Sequence, residues 1–241
     1  MRKFAIFVEG QTELITVREF LLRAYNYEVT IECRTLFKPG ALRKAEYDFS
    51  NPDARFYFQI INIGNDKAVL KRILERERRM WESGYEKIIG LRDMYSEAYK
   101  EDSQSIDNDV TQKFIDGANE TVRNKALSPA KIVMCFAIME VEAWFIAMYK
   151  LFELLDNRLT SDYIKDRLGI DLETVNPETA FFHPTNQMEE IYGLAEMSYD
   201  KHKGDIEAIA NCLTVQGYSD LLKSDNCNSF NHFYGALEIK E

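Results

Sequence analysis

Hydrophobic and polar positions along the chain fall into two alternating periods. Phe4-Ala5-Ile6-Phe7-Val8 is an unbroken apolar run closed by Glu9-Gly10, which predicts a strand over residues 4–9 buried on both faces. Leu14, Val17, Phe20, Leu21 and Ala24 follow at helical spacing, predicting a helix over 12–25 capped by Thr12. Residues 28–36 alternate like a half-exposed strand. Residues 55–63 are richer in aromatic and β-branched side chains and read as a more central one. Between them, the turn signals Pro39-Gly40 and Asn51-Pro52 predict a surface loop or short helix, and Gly64-Asn65 closes the second strand.

Residues 66–82 form a charged helical pattern with Val69, Ile73 and Met80 on one side and Arg72, Arg76, Arg78 and Arg79 elsewhere. The ordinary reading is a solvated face of mixed charge; the sharper one is contact with a phosphate backbone. Lys87 to Tyr95 reads as a further strand, containing Asp93. Residues 96–128 are polar and helical, an expected insertion over the sheet. Lys131 to Met139 is the next buried strand, and Glu140-Val141-Glu142-Ala143-Trp144 leads into a helix over 145–155. Beyond Asp156 strand signals fade. Helices are predicted near 160–168, 186–197, 203–213, 217–223 and 228–238, with loops at Pro177 and Pro184. The expectation is an α/β fold: a mainly parallel Rossmannoid sheet of about four main strands flanked by helices. It spans residues 1–155, with an α-helical lobe over 156–241 packed on it.

Composition narrows the class. The 241 residues are 46% hydrophobic and 29% charged, which suits a globular protein. A net charge of -10 gives no chain-wide basic footprint for nucleic acid, although a bound divalent ion would invert the field of an acidic site. The four cysteines form no C-x-x-C pair, and Cys135 reads as a buried reduced thiol. No apolar stretch approaches the roughly 20 residues that span a bilayer, and the apolar run after Met1-Arg2-Lys3 is too short for a signal peptide. A cytoplasmic protein with no membrane association is expected.

Three strands end in carboxylates: Glu9, Asp93, and Glu140 or Glu142. In open parallel sheets, ligands bind at the carboxyl ends of strands. Clustered carboxylate oxygens there suit a hard cation such as Mg²⁺ or Mn²⁺. Glu140 and Glu142 are two apart, so from one helix at most one is expected to be a ligand. Glu13 is a further candidate ligand, the alternative being a helix-capping role. Trp144 reads as core, and His183 and His202 as isolated loop or surface residues. Lys201, and less so Lys203, could offset charge on a phosphoryl transition state.

Val8-Glu9-Gly10-Gln11-Thr12-Glu13 resembles the opening of Toprim domains, more closely that of the stand-alone Toprim proteins of bacterial defence, the OLD-nuclease-like and RloB-like groups. Leu91-Arg92-Asp93-Met94-Tyr95 is similar to their second acidic motif, and Glu140-Val141-Glu142-Ala143-Trp144 to an E-x-E-A-W helix start. Tyr199-Asp200-Lys201 and Ser229-Phe230-Asn231-His232-Phe233 resemble their later elements. The resemblance implies a Mg²⁺- or Mn²⁺-dependent nuclease acting on DNA or RNA in defence against phage or mobile elements. Glu9 would be metal ligand or general acid/base, and Asp93 a ligand. A partner ATPase and a homodimer are compatible with it. The chain departs from the motif at Tyr95, where a second aspartate is expected. Either Glu97, Glu140 or Glu142 substitutes, or the protein is a degenerate, non-catalytic Toprim subunit that binds a partner ATPase or nucleic acid.

Overall fold

A computed structural model describes residues 1–38, 41–64, 68–224 and 226–238. The expected Pro39-Gly40 turn, Asn65 and the first two residues of the 66–82 helix lie outside the described residues. In chain order the elements are β1 (Arg2–Val8), α1 (Gln11–Ala24), β2 (Val29–Lys38), β3 (Ala41–Lys44), β4 (Phe56–Asn62), α2 (Val69–Glu82) and β5 (Lys87–Asp93). Next come α3 (Glu97–Asp102), α4 (Asn108–Lys125), β6 (Ile132–Ala137), α5 (Glu142–Ala147), α6 (Lys150–Leu155), α7 (Ser161–Leu168) and α8 (Pro177–Ala180). The chain closes with α9 (Pro184–Gly193), α10 (Lys203–Cys212), α11 (Val215–Lys223) and α12 (Asn228–Ala236).

The fold is α/β, with a six-stranded, mostly parallel sheet in the order β3-β2-β4-β1-β5-β6. β1 pairs in parallel with β4 and β5, and β2 pairs in parallel with β4. The fully buried run Phe4 to Val8 therefore sits mid-sheet, as its lack of alternation requires. α1 packs on β2 and β4, and α2 on β1. On β5, Gly90 lies where a Cβ would meet Met134 and Ile73 at under 3 Å, so this strand passes its neighbours only without a side chain there.

The chain divides into two compact units. The first holds residues 1–92, 109–136 and 233–241; the second holds 93–108 and 137–232. The expected division at residue 155 falls inside the longer segment of the second unit, residues 137–232. Within the first unit the end of α12 returns to α1: Phe20 meets Phe233 and Tyr234, and Arg2 and Lys87 both pair with Glu238.

Several local expectations are corrected. The stretch expected as a loop or short helix contains β3, an exposed antiparallel edge strand on β2, and a bridge between Phe49 and Ile31. With only four residues and almost no buried face, it carries no hydrophobic alternation to read. α1 begins one residue before Thr12, with Gly10 as its N-cap. The helix expected over 145–155 is two helices, α5 and α6, joined at Met148-Tyr149. Pro177 and Pro184 open α8 and α9, because a first helical turn needs no proline N–H. No disulfide joins Cys33, Cys135, Cys212 or Cys227, and burial raises the Cys135 thiol to about 12.

Candidate metal centre

The second unit gathers Asp93, Glu140 and Glu142. Each offers one carboxylate oxygen, and these oxygens lie within 4.8 Å of one another; all three residues are buried. Asp93 ends β5, and its Oδ1 accepts the backbone N–H of Val141 at 3.0 Å. Glu142 opens α5 and is 0% exposed. Its Oε1 accepts the Tyr199 hydroxyl at 2.7 Å.

Glu140 and Glu142 both join the cluster, against the expectation that spacing would admit only one. The reason is local. The helix starts at Glu142, so Glu140 is not on it, and Met139 turns the chain with φ of +60°. A left-handed methionine is strained, and such strain concentrates at functional sites. Met139 is pinned by its carbonyl, which accepts the Tyr95 N–H at 2.7 Å. Glu140 Oε2 then accepts Thr185 N–H at 2.9 Å and Thr185 Oγ–H at 2.8 Å, in the first turn of α9. A carboxylate there also meets the positive end of the helix dipole.

Lys201 reaches the same group. Its Nζ lies 3.0 Å from Glu140 Oε1 and 3.1 Å from Glu142 Oε1. Lys201 also has positive φ, +55°. Asp205 holds this turn from α10: its Oδ2 accepts the N–H of Asp200 at 3.0 Å and of His202 at 3.2 Å. Asp205→Ala is expected to cost about 1 kcal/mol, the usual worth of a helix cap, with Asp205→Asn costing less. Urea unfolding of the two variants checks the order.

Charge is unevenly compensated. Burial drives the Glu142 carboxyl upward, Lys201 opposes that shift and Glu140 adds to it. Burial alone would lower the Lys201 ammonium, but Glu142, Glu140 and Asp93 together raise it, keeping it charged. Burial, reinforced by Glu142, raises Tyr199, which stays a hydroxyl donor. Three carboxylates against one ammonium leave a formal charge of 1 − 3 = −2 when all are ionised. Glu142 Oε2 is buried and accepts no hydrogen bond from the described residues. A buried charged oxygen without a partner is costly, and a divalent cation supplies both the missing partner and the missing charge. The group could therefore hold a metal ion.

The other candidates have surroundings of their own. Glu9 and Glu13 belong to the first unit, at the turn from β1 into α1. Glu13 caps that helix, its Oε2 accepting the Gly10 N–H at 2.7 Å. Tyr95 lies 2.8 Å from His183 Nε2 through its hydroxyl and meets the rings of Phe182 and His183. His183, read as an isolated loop histidine, is thus Tyr95's partner. Glu97 is exposed in the first turn of α3 and pairs with Lys100, so of the three acids that might replace the missing aspartate only Glu140 and Glu142 are in the cluster. Trp144 is core, its Nε1 donating to Ser229 Oγ at 2.8 Å. Lys203 lies 3.8 Å from Glu207 and His202 is exposed. Thr185 and Asp205 carried no sequence signal beyond residue types suited to helix starts. No described helix is long and apolar enough to cross a membrane. Compared with known proteins, the chain matches no family model, no curated protein and no solved structure.

Proposed function

We propose that this protein is a metal-dependent phosphodiester hydrolase of the Toprim kind. It would use Mg²⁺ or Mn²⁺ to cut DNA or RNA, in bacterial defence against phage or mobile elements. The observation that carries the reading is Glu142: fully buried, flanked by two further carboxylates, with one oxygen unpartnered among the described residues. Ordinary buried carboxylates complete their hydrogen bonds within the protein. A cation would complete this one.

Asp93, Glu140 and Glu142 would hold the ion, with Thr185, Val141 and Tyr199 orienting their carboxylates. An ion so bound supplies Lewis acidity toward a phosphoryl oxygen and lowers the pKa of water. Lys201 offsets the charge that grows on the phosphoryl group. For Glu9, in the first unit, the resemblance of its motif implies a role as metal ligand or general acid/base.

The test is hydrolysis of plasmid, single-stranded DNA and RNA by the purified protein with Mn²⁺ or Mg²⁺. Glu9→Gln and Asp93→Asn are each expected to lower the rate at least about a hundredfold. Full activity in both variants overturns the mechanism. A second reading, a non-catalytic Toprim subunit that binds a partner ATPase or nucleic acid, draws on Tyr95, which stands where an acid is expected and is taken up by His183. Calorimetry separates the two: no heat of binding at millimolar Mn²⁺ favours the subunit.

A further inference from the structure

A cleft of about 630 Å³ opens in the first unit, sharing no residue with the carboxylate cluster. Its volume falls in the range of small-ligand sites. We propose that it binds a nucleoside phosphate, the base against its apolar wall and the phosphate on its basic rim. This stands apart from the hydrolase reading and needs no metal at the carboxylates.

Three cations line the cleft: Lys71 on α2, Arg92 on β5 and Lys125 on α4. The acid among the lining residues, Glu75, is paired with Arg72 at 2.6 Å. Lys71 and Lys125 are exposed and pair with no described acid. A concentrated positive rim on a chain of net charge -10 is a local choice that favours an anion.

The wall is apolar and partly aromatic. Phe136 is buried with the Arg92 guanidinium over its ring, 5.7 Å from the centroid, and Phe114 is half-buried on α4. A base can stack on such rings and on a guanidinium plane, while a bare inorganic ion gains nothing from them. The third observation is Gly117. It lies within α4, where glycine weakens a helix, and a Cβ there would meet nothing within 4 Å. No neighbour requires the small residue, yet it lines the cleft and leaves it open.

Calorimetry on the full chain with AMP, ADP, ATP, inorganic phosphate and a short single-stranded oligonucleotide tests the proposal. A single nucleotide site is expected, with inorganic phosphate binding far more weakly. Lys71→Glu with Lys125→Glu should weaken binding about tenfold or more, as the loss of charge-assisted contacts implies. Gly117→Leu should abolish it while holding or raising Tm, since leucine favours the helix and fills the cleft. Absence of nucleotide binding at millimolar concentration overturns the proposal. So does binding that survives Gly117→Leu in folded protein, equal binding of inorganic phosphate, or binding of the oligonucleotide alone, which would make the cleft part of a nucleic-acid surface. Hydrolase activity in any of these variants bears on the carboxylate cluster and not on this site.

Discussion

Lys201→Met is expected to lower the stability of the metal-free protein by about 3 kcal/mol, the low end for stripping one partner from a buried ion network. For a chain of this size that is a fall in Tm on the order of 9 °C. Lys201 reaches Glu140 and Glu142 at 3.0 and 3.1 Å and is a third exposed, so water relieves part of the loss and the upper end of the range does not apply. Without it, three buried carboxylates face one another with oxygens within 4.8 Å. Methionine keeps the length of the stem and removes only the charge. Adding Mn²⁺ should then return most of the lost Tm, because the stripped cluster is a stronger cation site than before. Lys203→Met, a charge loss on the exposed start of α10, should change stability by no more than about 0.5 kcal/mol, about 1–2 °C in Tm. A Lys201 variant as stable as the parent would mean that the carboxylates are already neutral, and the cation reading would fail with it.

The same ion network explains which parts of the site could be read without a structure. β1 and β6 are apolar on both faces, so their buried positions follow from composition alone, and so does the presence of an acid after each. Glu142 is legible for that reason, and Asp93 as the acid that closes the apolar run of β5. Glu140 was legible as a candidate but not as a partner of Glu142, because helical periodicity forbids the pair. The positive φ of Met139 and the late start of α5 allow it, and no residue at 139 announces a left-handed turn the way glycine or asparagine would. Lys201 sits in a second such turn, held by an aspartate four residues on. The Met139 turn is a tertiary fact, over-determined by the Tyr95 N–H from another segment, whereas the Lys201 turn is held locally by the Asp205 carboxylate. β3 was missed for the opposite reason, since four exposed residues on a sheet edge bury too little to leave a pattern.

Glu142→Gln separates the two roles a buried acid can have. If Glu142 serves only to hold Lys201, neutralising it should destabilise the fold. If it is a ligand kept ionised at a cost, the metal-free variant should be as stable as the parent or more so by up to about 1 kcal/mol, since burial opposes the charged form. The amide keeps Oε1 as acceptor for the Tyr199 hydroxyl. Its nitrogen replaces the unpartnered Oε2 with a donor, set among the carboxylates of Asp93 and Glu140. Lys201 retains Glu140. Cation binding should suffer heavily: a ligand oxygen is lost, and the formal charge of the cluster falls from −2 to −1. An affinity for Mn²⁺ at least about a hundredfold weaker is expected, beyond what is typical for loss of an outer-shell partner. Tm measured with and without Mn²⁺ reads both effects in one experiment. The variant should hold its metal-free Tm and lose the Mn²⁺-induced rise. A lower metal-free Tm with the rise intact would assign Glu142 to the fold and leave Asp93 and Glu140 to account for any bound ion.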